Sequence, residues 1–97
     1  MKVNDEKYLI QSACYGYIVG VARSLVSGAN PNVADNDGLS ALHYVVANDD
    51  PVCVALLLLA GADPRQRTTP DGPTLLEIAI GSGNAAAADM LVLGGAD

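Results

Sequence analysis

The chain has 97 residues, 51% of them hydrophobic and 16% charged, with a formal net charge of −6 and neither Phe nor Trp. That length allows one small domain with one core, and the core must be built from Leu, Val, Ile and Ala. The acidic surplus argues against nucleic-acid backbones and anionic membrane surfaces, which call for clustered Lys and Arg.

The chain opens on MKVNDEKYLI (1–10), with charges where a signal peptide would have its apolar run. The longest uncharged apolar run, 51–62, is well short of a membrane span, so neither a leader nor a membrane segment is expected. Cys14 and Cys53 lie in apolar surroundings. Two cysteines do not make a disulfide scaffold; buried free thiols in a reducing compartment, the cytoplasm, are the expectation.

KYLIQSACYG (7–16) is the first apolar segment, and SGANPN (27–32) follows as turn chemistry. DGLSALHYVV (37–46) is an Asp-Gly turn leading into a helix over about 40–48, broken by Asp49 and Asp50. Asp50-Pro51 reads as an N-cap with Pro at the first helical position. A second helix covers about 51–60, and Gly61 ends it as a left-handed C-cap. The pattern then returns: AGADPR (60–65) repeats SGANPN, DGPTLLEIAI (71–80) repeats DGLSALHYVV, and GGAD (94–97) closes the chain. Gly28, Gly61 and Gly95 mark a period of 33 and then 34, the extra residue falling in RQRTTPDG (65–72). The first copy lacks the Asp-Gly opening but keeps Ala13 and Gly16 in register. A helix pair of this size cannot bury its apolar face alone, whereas stacked copies bury a continuous core.

No constellation for catalysis emerges. His43 is the single histidine, and of its helical neighbours Leu39, Ser40, Val46 and Ala47 only Ser40 offers a hydroxyl. A general base needs a partner and a pocket, so His43 reads as structural and Ser40 as a helix cap. Asp35, Asp37 and Gly38 begin a calcium-loop pattern that then stops; Asp35, Asp37, Asp49 and Asp50 are assigned to turns and caps. Cys14 has no base near it in the repeat register. Gly81-Ser82-Gly83-Asn84 lacks the ending of a phosphate loop and reads as an inter-helix turn. Neither a cofactor nor a metal is expected.

The repeat resembles the ankyrin family over nearly the whole chain. The family opening Asp-x-x-Gly-x-Thr-Pro-Leu-His-x-Ala-Ala stands here as Asp35-Asn36-Asp37-Gly38-Leu39-Ser40-Ala41-Leu42-His43-Tyr44-Val45-Val46. The closing Leu-Leu-x-x-Gly-Ala-Asp stands as Leu57-Leu58-Leu59-Ala60-Gly61-Ala62-Asp63. Ala41 replaces the usual Pro, Glu77 the His of the third unit, and Asp49 the mid-repeat Gly. The resemblance implies an all-α solenoid of stacked helix–turn–helix units with β-turn fingers, one domain with repeats at about 4–34, 35–67 and 68–97.

It also implies a non-enzymatic module that binds another protein through its finger tips and concave helix face. Carried over by position, the contact sites fall on Cys14 and Tyr15, on Ala34, Asn36, Asp37, Leu39, Ala47 and Asn48, and near Pro70, Asp71, Pro73, Gly81 and Ser82. The fingers differ in charge, with Asp35 and Asp37 on the first and Arg65 and Arg67 on the second. Outward positions of the second helices, usually Glu or Lys in the family, are Val19, Ala22 and Val26, then Val52, Ala55 and Leu59, then Ala86, Asp89 and Leu93. That apolar convex face is expected to be covered by a second copy, giving a homodimer, or by another protein, unless the helices turn to bury it. No polar capping repeat follows the third unit, so the outer side of Leu75, Leu76, Ala79, Met90 and Leu91 is expected to be only partly covered. Two other roles fit such a chain: a small antidote that neutralises an enzyme or toxin, or an oligomerising scaffold subunit.

Overall fold

The computed structural model describes residues 5–96. Six helices follow one another: α1 (Asp5–Tyr15), α2 (Ile18–Val26), α3 (Ala41–Ala47), α4 (Pro51–Leu59), α5 (Leu75–Gly81) and α6 (Ala85–Leu93). They form two layers. α3 packs between α1 and α5, and α4 packs between α2 and α6. Each pair, α1 with α2, α3 with α4 and α5 with α6, joins the layers. Between pairs the chain projects as a finger, closed by single antiparallel bridges from Ala34 to Ser40 and from Arg67 to Thr74. The second bridge encloses one residue more than the first, and that residue belongs to the RQRTTPDG stretch.

Local chemistry sets the helix limits. Asp50 caps α4 by accepting the Cys53 N–H at 3.2 Å, with Pro51 as its first residue. Gly61 follows α4 at φ 104, a left-handed value that costs glycine little. Between the helices of each pair the chain must again turn left-handed. Gly16 (φ 70) and Gly83 (φ 74) do so in the outer pairs, and Asp49 (φ 49) does so in the middle one. Asp49 has a second role: its Oδ1 accepts the Ala87 N–H at 3.0 Å and so caps α6 from the neighbouring repeat. Asn84, which occupies the N-cap position of α6, donates instead to the Val46 and Ala47 carbonyls at the end of α3. Asn48 serves the end of α1 likewise, donating to the Ala13 and Cys14 carbonyls. Each exchange satisfies helix-end groups that have no partner within their own helix.

The core is one aliphatic cluster through all six helices, including Leu9, Val21, Leu42, Val46, Val54, Leu57, Leu75 and Leu91. Packing is tight enough that Gly20 admits no side chain, because a Cβ there would lie 2.2 Å from the Ser12 hydroxyl. The far end of the stack differs from expectation. Leu75, Ala79 and Leu91 are fully buried, while Leu76 and Met90 are half-buried. The open residues are instead Ile80, 67% exposed, and Val92. Ile80 is the third-repeat equivalent of Ala13 and Val46, both buried beneath the next repeat; among the described residues no fourth unit covers it.

Candidate functional site

The first finger is built around one carboxylate. Asp35 Oδ1 accepts the N–H groups of Asp37 (2.9 Å) and Leu39 (3.0 Å), which fixes the tip. Its Oδ2 accepts the Tyr44 hydroxyl, tying the finger to α3. These bonds, the Tyr44 one foremost, hold the Asp35 carboxyl below the usual carboxylate range. The same bond pushes the Tyr44 phenol up to about 12. Asp35, Asp49 and Asp50 thus act as turn and cap residues. Tyr44 was not singled out by the sequence. The available signal was an aromatic at the variable position after His43 of the family opening.

The base of each finger carries a reciprocal cap. Ser40 donates its backbone N–H to His43 Nδ1 at 3.1 Å, and the Ser40 hydroxyl lies 3.0 Å from the same nitrogen. In the third repeat Thr74 donates its N–H to Glu77 Oε1, and Glu77 donates its own to Thr74 Oγ1, both at 3.1 Å. Glu77 therefore replaces histidine without loss of the capping box. Because Nδ1 accepts, the neutral His43 ring carries its proton on Nε2. That atom is buried and has no partner among the described residues. Burial holds the imidazole below its ordinary value, with a weaker opposing pull from Asp35.

Beside the first finger lies a groove of about 560 Å³ between α1, the finger and Tyr44. It brings together Cys14, Tyr15, Ala34 and Asn36, with the charges of Glu6, Lys7 and Asp35 around them. Tyr15 stands on its rim, 84% exposed. Cys14, expected to be buried, is exposed; it shares its repeat position with Ala47 and Gly81, also exposed, on a face that no neighbouring helix covers. Cys53 is buried as expected, and burial first, then the Asp50 carboxylate, pushes its thiol up to about 12.

The other candidate residues lie outside this groove. Asp37 is exposed on the finger tip and Leu39 is half-buried behind it. Ala47 and Asn48 are exposed at the end of α3, where the Asn48 amide is engaged with α1. Arg65 and Arg67 border a separate small hollow with Pro64, Leu76 and Ala96, and Arg67 also donates to the Gly72 carbonyl. Asp71 and Ser82 are exposed and line neither. On the opposite side Val19, Val26, Val52, Leu59 and Leu93 are all exposed, Val26 at 89% and Leu59 at 86%; Ala55 is half-buried. The helices have not rotated to hide this stripe. Among the described residues no group of three His, Cys, Asp or Glu side chains could hold a metal ion, and no helix is long and apolar enough to cross a membrane.

A family model for ankyrin repeats matches residues 9–97 in three copies. Glycerophosphocholine phosphodiesterase gde1 of Schizosaccharomyces pombe is 35% identical over 89 residues, 91% of this chain and 8% of that protein. The ankyrin repeat and LEM domain-containing protein 1 homolog of Caenorhabditis elegans is 47% identical over 47 residues, 47% of this chain and 7% of that one. The nuclear factor NF-kappa-B p105 subunit of Gallus gallus is 34% identical over 64 residues, 66% of this chain and 6% of that protein. The chain thus spans less than a tenth of each of these relatives. With its six helices in two layers and its repeated turn-and-cap chemistry, it belongs to the ankyrin repeat family.

Proposed function

We propose that this chain is a non-catalytic module that binds a partner protein through the groove between α1 and the first finger. Ankyrin repeats generally mediate protein–protein interaction. The observation that carries the reading here is the groove itself, of about 560 Å³, with an exposed tyrosine at its rim. Tyrosine is among the side chains that dominate binding energy at protein interfaces, because it covers a large area for little conformational entropy. Asn36 and Asp37 extend the surface along the finger, and Ala34 lines the groove. Arg65, Arg67 and Asp71 provide a second, differently charged finger, and Ala47, Asn48 and Ser82 continue the face along the helix ends.

The experiment is affinity capture with the intact chain, followed by the same capture with Tyr15→Ala and with Asn36→Arg. The expected result is a specific protein whose affinity falls about tenfold or more in each variant, a typical loss for an interface anchor. A captured protein held equally well by both variants would overturn the assignment of the groove.

A further inference from the structure

The outer layer carries a pattern that the groove does not use. Helices α2, α4 and α6 are each nine residues long, and their midpoints are Ala22, Ala55 and Asp89. Repeat symmetry makes them parallel, with α4 in the centre. α4 has no charged residue. α2 has one, Arg23, and α6 has one, Asp89. Both are exposed, and among the described residues neither side chain has a hydrogen-bond or ion-pair partner. A wholly apolar centre is therefore flanked by a cation on one side and an anion on the other, each within one residue of its helix midpoint.

We propose that this face binds a second copy of the same chain, related by a two-fold axis through Ala55. A two-fold interface uses the same patch twice, so the patch must complement itself. Rotation about that axis, which runs parallel to the helices, lays α4 parallel on its copy and α2 on the copy's α6. Every facing pair then matches in chemistry. Ala55 meets Ala55, small enough for the backbones to come close. Val52 meets Val52, Leu59 meets Leu59, and Val26 meets Leu93. Arg23 meets Asp89 twice, once at each edge. The alternative apolar patch, around Ile80 and Val92 at the end of the stack, has no such mirrored charges. The proposed face is on the opposite layer from the groove, so the two can be occupied together.

The test is the solution mass of the intact chain over a concentration series, with helix content followed by circular dichroism. Twice the chain mass is expected. Leu59→Glu should give a monomer, whereas Ile80→Lys and Tyr15→Ala should leave the dimer intact. The charge pair supplies the decisive comparison. Arg23→Asp alone and Asp89→Arg alone each place like charges at both edges and should weaken the dimer about tenfold. Mixed together, the two variants should pair with each other at wild-type strength, because every edge again joins opposite charges. All five substitutions are at exposed positions, and recovery on mixing excludes misfolding as the cause of the loss. A wild-type chain that stays monomeric, a dimer lost in Ile80→Lys but kept in Leu59→Glu, or a mixture that fails to recover would each overturn the proposal. So would a monomeric chain that loses a different partner protein on Leu59→Glu, since the face would then belong to that protein.

Discussion

His43 shows how a residue suited to catalysis becomes structural. Its Nδ1 closes the cap on Ser40, and its Nε2–H is buried without an acceptor among the described residues. Folding therefore favours the neutral ring. The unfolded chain takes up a proton near the ordinary value of 6.5, and the folded chain does so only at lower pH. The associated stability is complete above pH 6.5 and is lost as pH falls towards the folded value. Asp35 and Glu77 act in the same direction lower down. Hydrogen bonds hold both carboxyls below their ordinary values of 3.8 and 4.5, so their contribution is lost only below that range. Thermal unfolding followed against pH should decline in two stages. His43→Gln should abolish the first stage and keep the second, and should cost about 1 kcal/mol or less at neutral pH because glutamine also completes a capping box. The thiols make a second prediction at this scale. With a disulfide reagent under native conditions Cys14 should react at once, while Cys53, buried and pushed up to about 12, should react only on unfolding.

At the scale of the elements, much was legible and one class of contact was not. The helix over about 40–48 is observed as Ala41–Ala47, and that over about 51–60 as Pro51–Leu59. These limits follow from caps, proline and glycine, all local signals. The cross-repeat contacts could not be read in that way. Asn84 stands where a helix caps itself, yet it serves the end of α3, and Asp49 serves α6 in return. The partners are more than thirty residues apart in sequence, so only the stacked structure reveals them. Asp49 was legible as a departure from glycine, but its compensation was not. Replacing it with Ala removes the cap on α6 and keeps the left-handed strain that Asp49 already bears. The expected cost is about 1 kcal/mol, from the cap alone. Asp49→Gly loses the cap but relieves the backbone and should be close to neutral. Urea denaturation of both variants decides this, and equal losses in the two would contradict the pairing of roles.

At the scale of the whole molecule, the stack owes its stability to contacts between repeats as well as within them. Leu57 lies in the middle pair and is fully buried. Leu57→Ala should cost about 2–5 kcal/mol, a large share of the roughly 5–15 kcal/mol available to a domain. Ile80→Lys, at the uncovered end, should cost little. Chemical denaturation should show one transition for the parent chain and a strongly lowered midpoint for Leu57→Ala alone. The same stacking separates the two exposed faces. The face of α1 and the first finger has a groove, an aromatic rim and mixed charge, whereas the face of α2, α4 and α6 is apolar with one charge on each flank. Both faces were legible as positions in the repeat. The groove itself was not, because it depends on Tyr44 bracing the finger through Asp35.

The most direct measurement is hydrogen exchange of the intact chain, free and bound to its captured protein partner. Slowed exchange is expected in the C-terminal half of α1 and in the first finger, around Tyr15 and Asn36. Slowed exchange confined to the third repeat, with these two segments unchanged, would contradict it.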